Sequence, residues 1–417
     1  MLKKVILPYK DLPRSIFVIF FARVINAAGH FVLPFMTMLL TEKIGLTKEA
    51  TGFYIMLAAI SYIPGSIIGG KLTDMIGRKK IYMIFQSLAA ICYVPIAFVE
   101  SSMIVPWLLI LSGMFSGAAG PANAAMVADL TNKDNRKQAY SLLYLGHNLG
   151  FAIGPMVAGL LYRNYVMWLF LGDAATTIIA VGLVAFFINE TIPDQEKIID
   201  MHDDLGENEK AESGSFIQAW VRRPILSIFM LLIMLYSFVY VQHQFSLPIY
   251  MNEIFLSDGA RLYGLLMMVN ALTVILFTTM LTNVTLKLKP IACVAIGGLF
   301  YGLGFGMLSF IKSFPMFLLS TYIWTLGEIL IGTNGMAYVA NNTPISHRGR
   351  FNAVIPIIAE GGHALGPFLT GKFLMQHSVL SVWKISFFLA IIVSICMFML
   401  QAVEGAGAEK RNILDAN

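Results

Sequence analysis

The chain has 417 residues, 57% of them apolar and 13% charged, with a formal charge of +5 and a mean hydropathy of +0.73. Soluble proteins carry about 25% charged residues, so half that share excludes a water-soluble fold. The Lys and Arg residues sit in short segments between apolar runs, which makes them topology signals and argues against a nucleic-acid patch.

A membrane helix needs about 20 apolar residues. The pattern predicts twelve in chain order: 15–41 (span 1), 50–72 (span 2), 79–100 (span 3), 104–130 (span 4), 138–161 (span 5), 166–189 (span 6), 224–249 (span 7), 260–286 (span 8), 290–311 (span 9), 315–340 (span 10), 350–374 (span 11) and 379–403 (span 12). Span 1 follows a basic stretch but is too long for a signal-peptide core, and no small-residue cleavage site follows it. With the N-terminus in the cytoplasm, 21 Lys/Arg fall on cytoplasmic segments, five on outer segments and three inside spans. That asymmetry predicts a multi-pass protein of the cell membrane with both termini cytoplasmic. Cys92, Cys293 and Cys396 each lie in an apolar run with no CxxC or His/Cys cluster. They read as small apolar residues, and no disulfide or metal site is expected.

Segment 190–223 is hydrophilic and acid-rich, with Asp200, Asp203, Asp204, Glu207, Glu209 and Glu212. It cannot bury a core and reads as a solvated, partly disordered cytoplasmic linker. It divides the chain into a six-helix bundle over 1–189 and another over 224–417. The two halves echo each other at an offset of 212: Ala128, Thr131, Arg136, Gly150, Gly154, Pro155 and Gly159 fall on Ala340, Thr343, Arg348, Gly362, Gly366, Pro367 and Gly371. Six helices per repeat give both halves the same topology. The expected fold is therefore all-α: twelve transmembrane helices in two bundles related by a parallel repeat, as in transporters.

Between spans 2 and 3 runs Gly70-Lys-Leu-Thr-Asp74-Met-Ile-Gly77-Arg78-Lys-Lys80. Gly77 permits a tight turn, Gly70 close helix contact, and Asp74 can pair with a cation or cap a helix. The segment resembles the signature loop of the major facilitator superfamily. That resemblance implies a charge network of Asp74, Arg78 and Asp129 that latches the cytoplasmic side. Met75 stands where many members carry a base, and the equivalent loop 282–290 lacks the motif. Span 5 holds Gly150-x-x-x-Gly154-Pro155-x-x-x-Gly159. This is similar to the antiporter motif of the superfamily's drug/proton exchangers, with small residues for tight packing and a proline bend. Gly113 stands where those exchangers often have an Arg, and the paired acids and Arg of the peptide symporters are missing from span 1. The TLGEI stretch around Glu328 resembles the LmrP-type multidrug exchangers, which implies a role for that acid in cation and proton handling.

A charge at mid-membrane costs about 2.5–3.5 kcal/mol on insertion scales, so each one needs a reason. Glu328, Glu360 and Asp173 are the candidate proton-coupling acids. Thr321, Thr325, Glu328 and Gly332 share one helix face. Candidate substrate contacts are Arg23, Asn26 and His30 on span 1, Asn123 on span 4, Tyr144 and His147 on span 5, and Tyr240 and His243 on span 7. Asn270 on span 8, Asn334 on span 10 and His363 on span 11 complete the set. The family resemblance implies that spans 1, 2, 4, 5, 7, 8, 10 and 11 line the cavity. Read together, these residues predict a proton-coupled exporter of amphipathic drugs or metabolites. An importer or uniporter of a small metabolite, or an exporter of one antibiotic or siderophore, is the alternative. No nucleophile–base pair points to an enzyme. The expected partners are a small-molecule substrate, protons and the lipid bilayer, with no nucleic acid and no cofactor. The proton gradient is the energy source, and a monomer is expected.

Overall fold

The computed structural model describes residues 9, 12–99, 102–131, 135–191, 216–285, 287–342 and 348–415. Among them every regular element is helical. A lipid core offers no water to backbone N–H and C=O groups, so each span must satisfy its own. Eight segments are long and apolar enough to cross a membrane, one of them, Pro224–Thr285, holding spans 7 and 8 together. Span 3 (Arg78–Ile91, then Tyr93–Ile96) is short and starts on three bases. Spans 5 (Arg136–Leu161) and 11 (Arg348–Phe373) are helical throughout but carry several polar residues.

The remaining observed helices are Lys48–Ile76 (span 2), Ile104–Asp129 (span 4), Val166–Phe187 (span 6), Pro290–Met307 (span 9), Phe314–Asn341 (span 10) and Val379–Asp415 (span 12). Most agree with the predicted limits within a few residues. Span 2 runs four residues further than expected, so the Gly70–Ile76 part of the signature segment is helix rather than loop. Span 12 extends twelve residues past its predicted end, since no Gly–Pro pair or turn cluster follows to stop it. Most of the predicted linker lies outside the described residues, and its last part forms a short helix, Phe216–Val221.

Span 1 is interrupted. Arg14–Ala28 ends at Gly29 and the helix restarts as Val32–Met38, with Pro34 near its start, before a π-turn over Leu39–Lys43. Span 7 breaks between Pro224–Tyr240 and Gln242–Phe255, with Pro248 in the second piece. A proline lacks the N–H that a continuous helix requires, and Pro34 sits in the first turn of the restarted half of span 1, whereas Pro248 lies inside Gln242–Phe255, seven residues beyond the break at Val241.

The chain forms two compact units. The first comprises Met1–Met201, Leu247–Ile275 and Phe368–Met375, and the second His202–Ser246, Leu276–Pro367 and Gln376–Asn417. In the first unit Ile16, Ile19 and Ala22 of span 1 pack with Met126, Val127, Ala139, Leu143, Ala180 and Val184 of spans 4, 5 and 6. In the second unit Phe229, Tyr236, Phe305, Phe317, Trp324 and Trp383 are fully buried. Lipid tails are as apolar as these side chains, so close van der Waals packing, rather than release of water, holds such helices together.

Glycines supply that closeness, and they follow the repeat. A Cβ at Gly150 would run into the Val24 carbonyl oxygen, and one at Gly362 into that of Met234. Gly159 lies against Ala260 and Arg261 at the start of span 8, and Gly371 against the Lys48 carbonyl at the start of span 2. Equivalent glycines thus seat equivalent helices in the two halves.

Candidate functional site

Three groups of polar residues emerge. The first lies where span 2 meets span 3. The chain turns on one residue, Gly77, at φ 122° and ψ 153°. A side chain there would face a left-handed backbone and would strike the Glu190 carboxylate. Arg78 donates from Nε to Asp129 Oδ2 at 3.2 Å and from Nη1 to the Thr73 carbonyl at 3.2 Å. Thr191 Oγ1 donates to the same Asp129 oxygen at 3.2 Å. Glu190 Oε1 accepts the backbone N–H groups of Arg78 at 2.7 Å and Lys79 at 3.2 Å. The carboxylate therefore caps the N-terminus of span 3, where negative charge meets the positive end of the helix dipole. Burial pushes the Glu190 pKa up, but the backbone N–H groups of Arg78, Lys79, Lys80 and Thr191 outweigh it and hold the pKa below its ordinary value.

Arg78 and Asp129 are thus brought together. Position 74 is helical, while the Asp74 side chain lies outside the described residues. Gly70 does not make the close helix contact expected of it. A Cβ there would come no nearer than 3.9 Å to Pro121, whereas Gly69 presses on the Ala118 backbone. Glu190 was missed in the sequence because it was counted with the linker. Its one signal was an acid directly closing an apolar run.

The second group lies in the second unit. Glu328 is half-buried on span 10 and Glu360 is exposed on span 11. Both are electrostatic neighbours of the buried Tyr301 on span 9. The Tyr301 ring stacks on Tyr240 at 5.6 Å, and Tyr240 meets His243 at 4.3 Å and Trp324 at 6.1 Å. His243 lies 5.3 Å from Trp324. Its Nδ1 is 2.6 Å from the Tyr240 carbonyl oxygen, which can only accept, so the ring proton sits on Nδ1. His363 lies within electrostatic reach of His243. Trp324 is fully buried, and its indole N–H has no acceptor among the described residues. A Cβ at Gly332, one turn beyond Glu328, would meet nothing within 4 Å, so that face opens onto free space.

Thr321 and Thr325 are buried above it, the Thr325 hydroxyl bonding the Thr321 carbonyl at 2.6 Å. Asn334 bonds its own helix at Leu330, at 3.0 Å, while Asn270, buried on span 8, belongs to the first unit and not to this group. Tyr301 and Trp324 did not stand out in the sequence, because an aromatic inside an apolar run carries no periodic signal of its own.

The third group lies in the first unit. His30 donates from Nε2 to Asn26 Oδ1 at 2.8 Å, and Asn26 Nδ2 reaches Thr177 Oγ1 at 3.4 Å. The His30 and His147 rings are 6.0 Å apart, and His147 stacks on Phe151 at 5.9 Å. Arg23 lies two turns before His30, with Tyr82 and Tyr140 as electrostatic neighbours. Tyr144 is exposed on the same span as His147, and Asn123 is half-buried on span 4.

Asp173 stands apart from the other acids. It is buried on span 6 and accepts the Val32 N–H at 3.2 Å, capping the restarted half of span 1. Gly113 lies 3.0 Å, by its Cβ direction, from the Ala58 carbonyl. Span 2 occupies the space into which an Arg at that position would have to grow.

The glycine motif of span 5 has two faces. Gly150 and Gly154 press on span 1: a Cβ at Gly154 would lie 2.9 Å from the Ala27 carbonyl oxygen. Pro155 and Gly159 receive span 8, where Gly264 meets the Pro155 carbonyl.

The sequence model of the Major Facilitator Superfamily matches residues 16–367. An uncharacterised MFS-type transporter of Bacillus subtilis, YttB, is 26% identical over 96% of this chain and 98% of its own. A Na(+), Li(+), K(+)/H(+) antiporter of Planococcus maritimus is 21% identical over 82% of this chain and 85% of its own. A crystal structure of a POT family transporter in complex with a thioalcohol-conjugated peptide superimposes with a TM-score of 0.77 at 14% identity, covering 94% of this chain and 96% of that one.

Proposed function

The chain belongs to the major facilitator superfamily of multi-pass membrane transporters, and from that premise we propose that it is a proton-coupled exporter of amphipathic compounds, working by alternating access in the cell membrane with both termini cytoplasmic. The observation that carries this reading is the group around Tyr301. Two carboxylates, Glu328 and Glu360, lie within electrostatic reach of one buried phenol, Tyr301, beside the aromatic rings of Tyr240, His243 and Trp324 and an open face at Gly332. Aromatic walls suit apolar bodies of varied shape, and a carboxylate among them attracts a cation or a proton. A proton and a cationic substrate that compete for one acid couple export to the proton gradient, since one charge crossing 100 mV yields about 2.3 kcal/mol. Glu328 is placed first, because it is the better enclosed of the two acids. The likeness to the LmrP-type exchangers rests on the TLGEI stretch, and the likeness to the drug/proton exchangers on the glycine motif of span 5.

The test is substrate-induced proton movement in proteoliposomes under an imposed pH gradient. Glu328→Gln keeps shape and polarity but cannot titrate. It is expected to abolish proton-driven export while neutral-ligand binding stays within about tenfold of wild type, or 1.4 kcal/mol. Persistent coupling in the variant moves the proton site to Glu360 or Asp173. Proton-independent flux in the wild type replaces the antiport reading with uniport.

A second reading, exchange of a small inorganic cation for protons, is favoured by the same pair of acids and by the antiporter relative. Na+ or K+ in place of the organic substrate tests it in the same vesicles.

A further inference from the structure

The second half lacks the signature segment, and its helix ends are built differently where that segment would fall. By the offset of 212, Arg78 falls on Pro290 and Asp129 on Asn341. Span 9 therefore starts on a proline, which brings neither a charge nor an N–H. Its N-cap residue, Lys289, is exposed and offers the helix no side-chain acceptor. In the first unit Arg78 joins the start of span 3 to the end of span 4, and Glu190 caps span 3. In the second unit the start of span 9 and the ends of spans 10 and 12 enclose a cavity of about 280 Å³ instead. Lys289, Ile291, Tyr338, Asn342, Glu404 and Gly405 line it.

Tyr338 is buried, its ring is 4.2 Å from that of the fully buried Phe229, and its hydroxyl donates to Glu404 Oε1 at 2.8 Å. That bond fixes the half-buried carboxylate at the cavity wall and leaves Oε2 for a second donor. Among the described residues neither Lys289 nor Glu404 makes an ion pair. The Lys289 ammonium lies beside Gly405, 3.6 Å from where a Cβ there would stand. An acid and a base that line one cavity without pairing repel a simple cation and a simple anion alike, and favour a molecule carrying both charges. Leu288 and Val403, the neighbours of that base and that acid, are exposed at 46% and 61%, so the rim is apolar.

We propose that this cavity binds the headgroup of an aminophospholipid, its phosphate on Lys289 and the start of span 9 and its primary ammonium on Glu404. A phosphate is favoured at a helix N-terminus, and an ammonium donates charge-assisted bonds to a carboxylate. The lipid supplies from outside the anion and the cation that Glu190 and Arg78 supply in the first unit. The exposed Leu288 and Val403 meet the start of its acyl chains. The proposed topology puts this end of the helices at the cytoplasmic leaflet. The site uses neither the proton step nor the group around Tyr301, so it stands or falls apart from the export reading.

The experiment is native mass spectrometry of the full-length protein in detergent, titrated with phosphatidylethanolamine, phosphatidylcholine or phosphatidylglycerol of one acyl composition. The choline cation has no N–H to donate, and phosphatidylglycerol has no cation. Wild type is expected to bind phosphatidylethanolamine at least about fivefold more tightly than either. Glu404→Gln keeps an acceptor for Tyr338 but loses the charge, and is expected to remove that preference at an unchanged melting temperature. Lys289→Gln, at an exposed position, is expected to weaken all three lipids. Lys312→Gln, an exposed base at the other end of span 9, is expected to change none of them. Free O-phosphoethanolamine is expected not to compete. Three results overturn the proposal: no preference for phosphatidylethanolamine in wild type, a preference that survives Glu404→Gln and Lys289→Gln, or competition by free O-phosphoethanolamine as strong as by the lipid, which would assign the cavity to a soluble amino phosphate.

Discussion

A carboxylate in a membrane protein can move a proton or hold a backbone in place, and the buried Asp173 and the exposed Glu190 are bound in ways that can be tested. Asp173 accepts the Val32 N–H at the point where span 1 restarts. Asp173→Asn retains an acceptor oxygen and is expected to keep both stability and transport. Asp173→Ala leaves a buried N–H unpaired, which costs about 1–3 kcal/mol, so its melting temperature should fall by several degrees. Loss of proton coupling in the Asn variant at wild-type stability would return Asp173 to the proton path.

Glu190 caps span 3, and its lowered pKa fixes the sign of a pH effect. A carboxylate with a depressed folded pKa contributes stability that is present above its ordinary value of 4.5 and lost as pH falls through the lower folded value. Glu190→Gln should therefore melt a few degrees below wild type at pH 7, and the gap should close below pH 4.5. Thermal unfolding of both proteins across that range checks it.

At the scale of helices, the contacts that matter are those that only a hydrogen in place of a side chain allows. Gly154 sits within 2.9 and 3.1 Å, by its Cβ direction, of two span 1 carbonyl oxygens. Gly154→Leu must push span 5 away from span 1, at a place where lipid offers no water to solvate what is exposed. Export should collapse while the protein still inserts. Transport at the wild-type rate, measured at equal membrane abundance, would reduce the glycine motif to a coincidence. The repeat was legible for the same reason: close packing at Gly150 and Gly362, and at Gly159 and Gly371, constrains residue type. Gly69 was not legible as the contact residue, since Gly69 and Gly70 are adjacent in the sequence and only the rotation of span 2 decides which one meets span 4.

At the scale of the molecule, compactness does not follow chain order. The first unit takes Leu247–Ile275 and Phe368–Met375 from the second half of the sequence. Within it Lys48 at the start of span 2 pairs with Glu253 at the end of span 7, at 3.0 Å, and Phe53 meets Phe368 at 5.9 Å. Both charged groups are partly exposed, so the pair is worth about 0–1 kcal/mol. Lys48→Glu should slow transport by no more than about fivefold, and the double exchange Lys48→Glu with Glu253→Lys should recover most of the rate. A double variant no better than the single one would leave the pair without a role in the transport cycle.

Sequence alone was enough for the membrane class, the approximate helix limits, the parallel repeat and the signature segment. These depend on run length, on the spacing of small residues and on the placement of Lys and Arg, all of which are local in the chain. The tertiary structure decided which polar residues meet. Glu190 reaches Arg78 across 112 positions, Val32 finds Asp173 across 141, and the rings of Tyr240 and Tyr301 stack between spans 7 and 9. Helical periodicity places a residue on a face but does not say what that face touches. Meetings between residues so far apart are set by how closely helices approach and how each is rotated, which depends on every glycine contact at once.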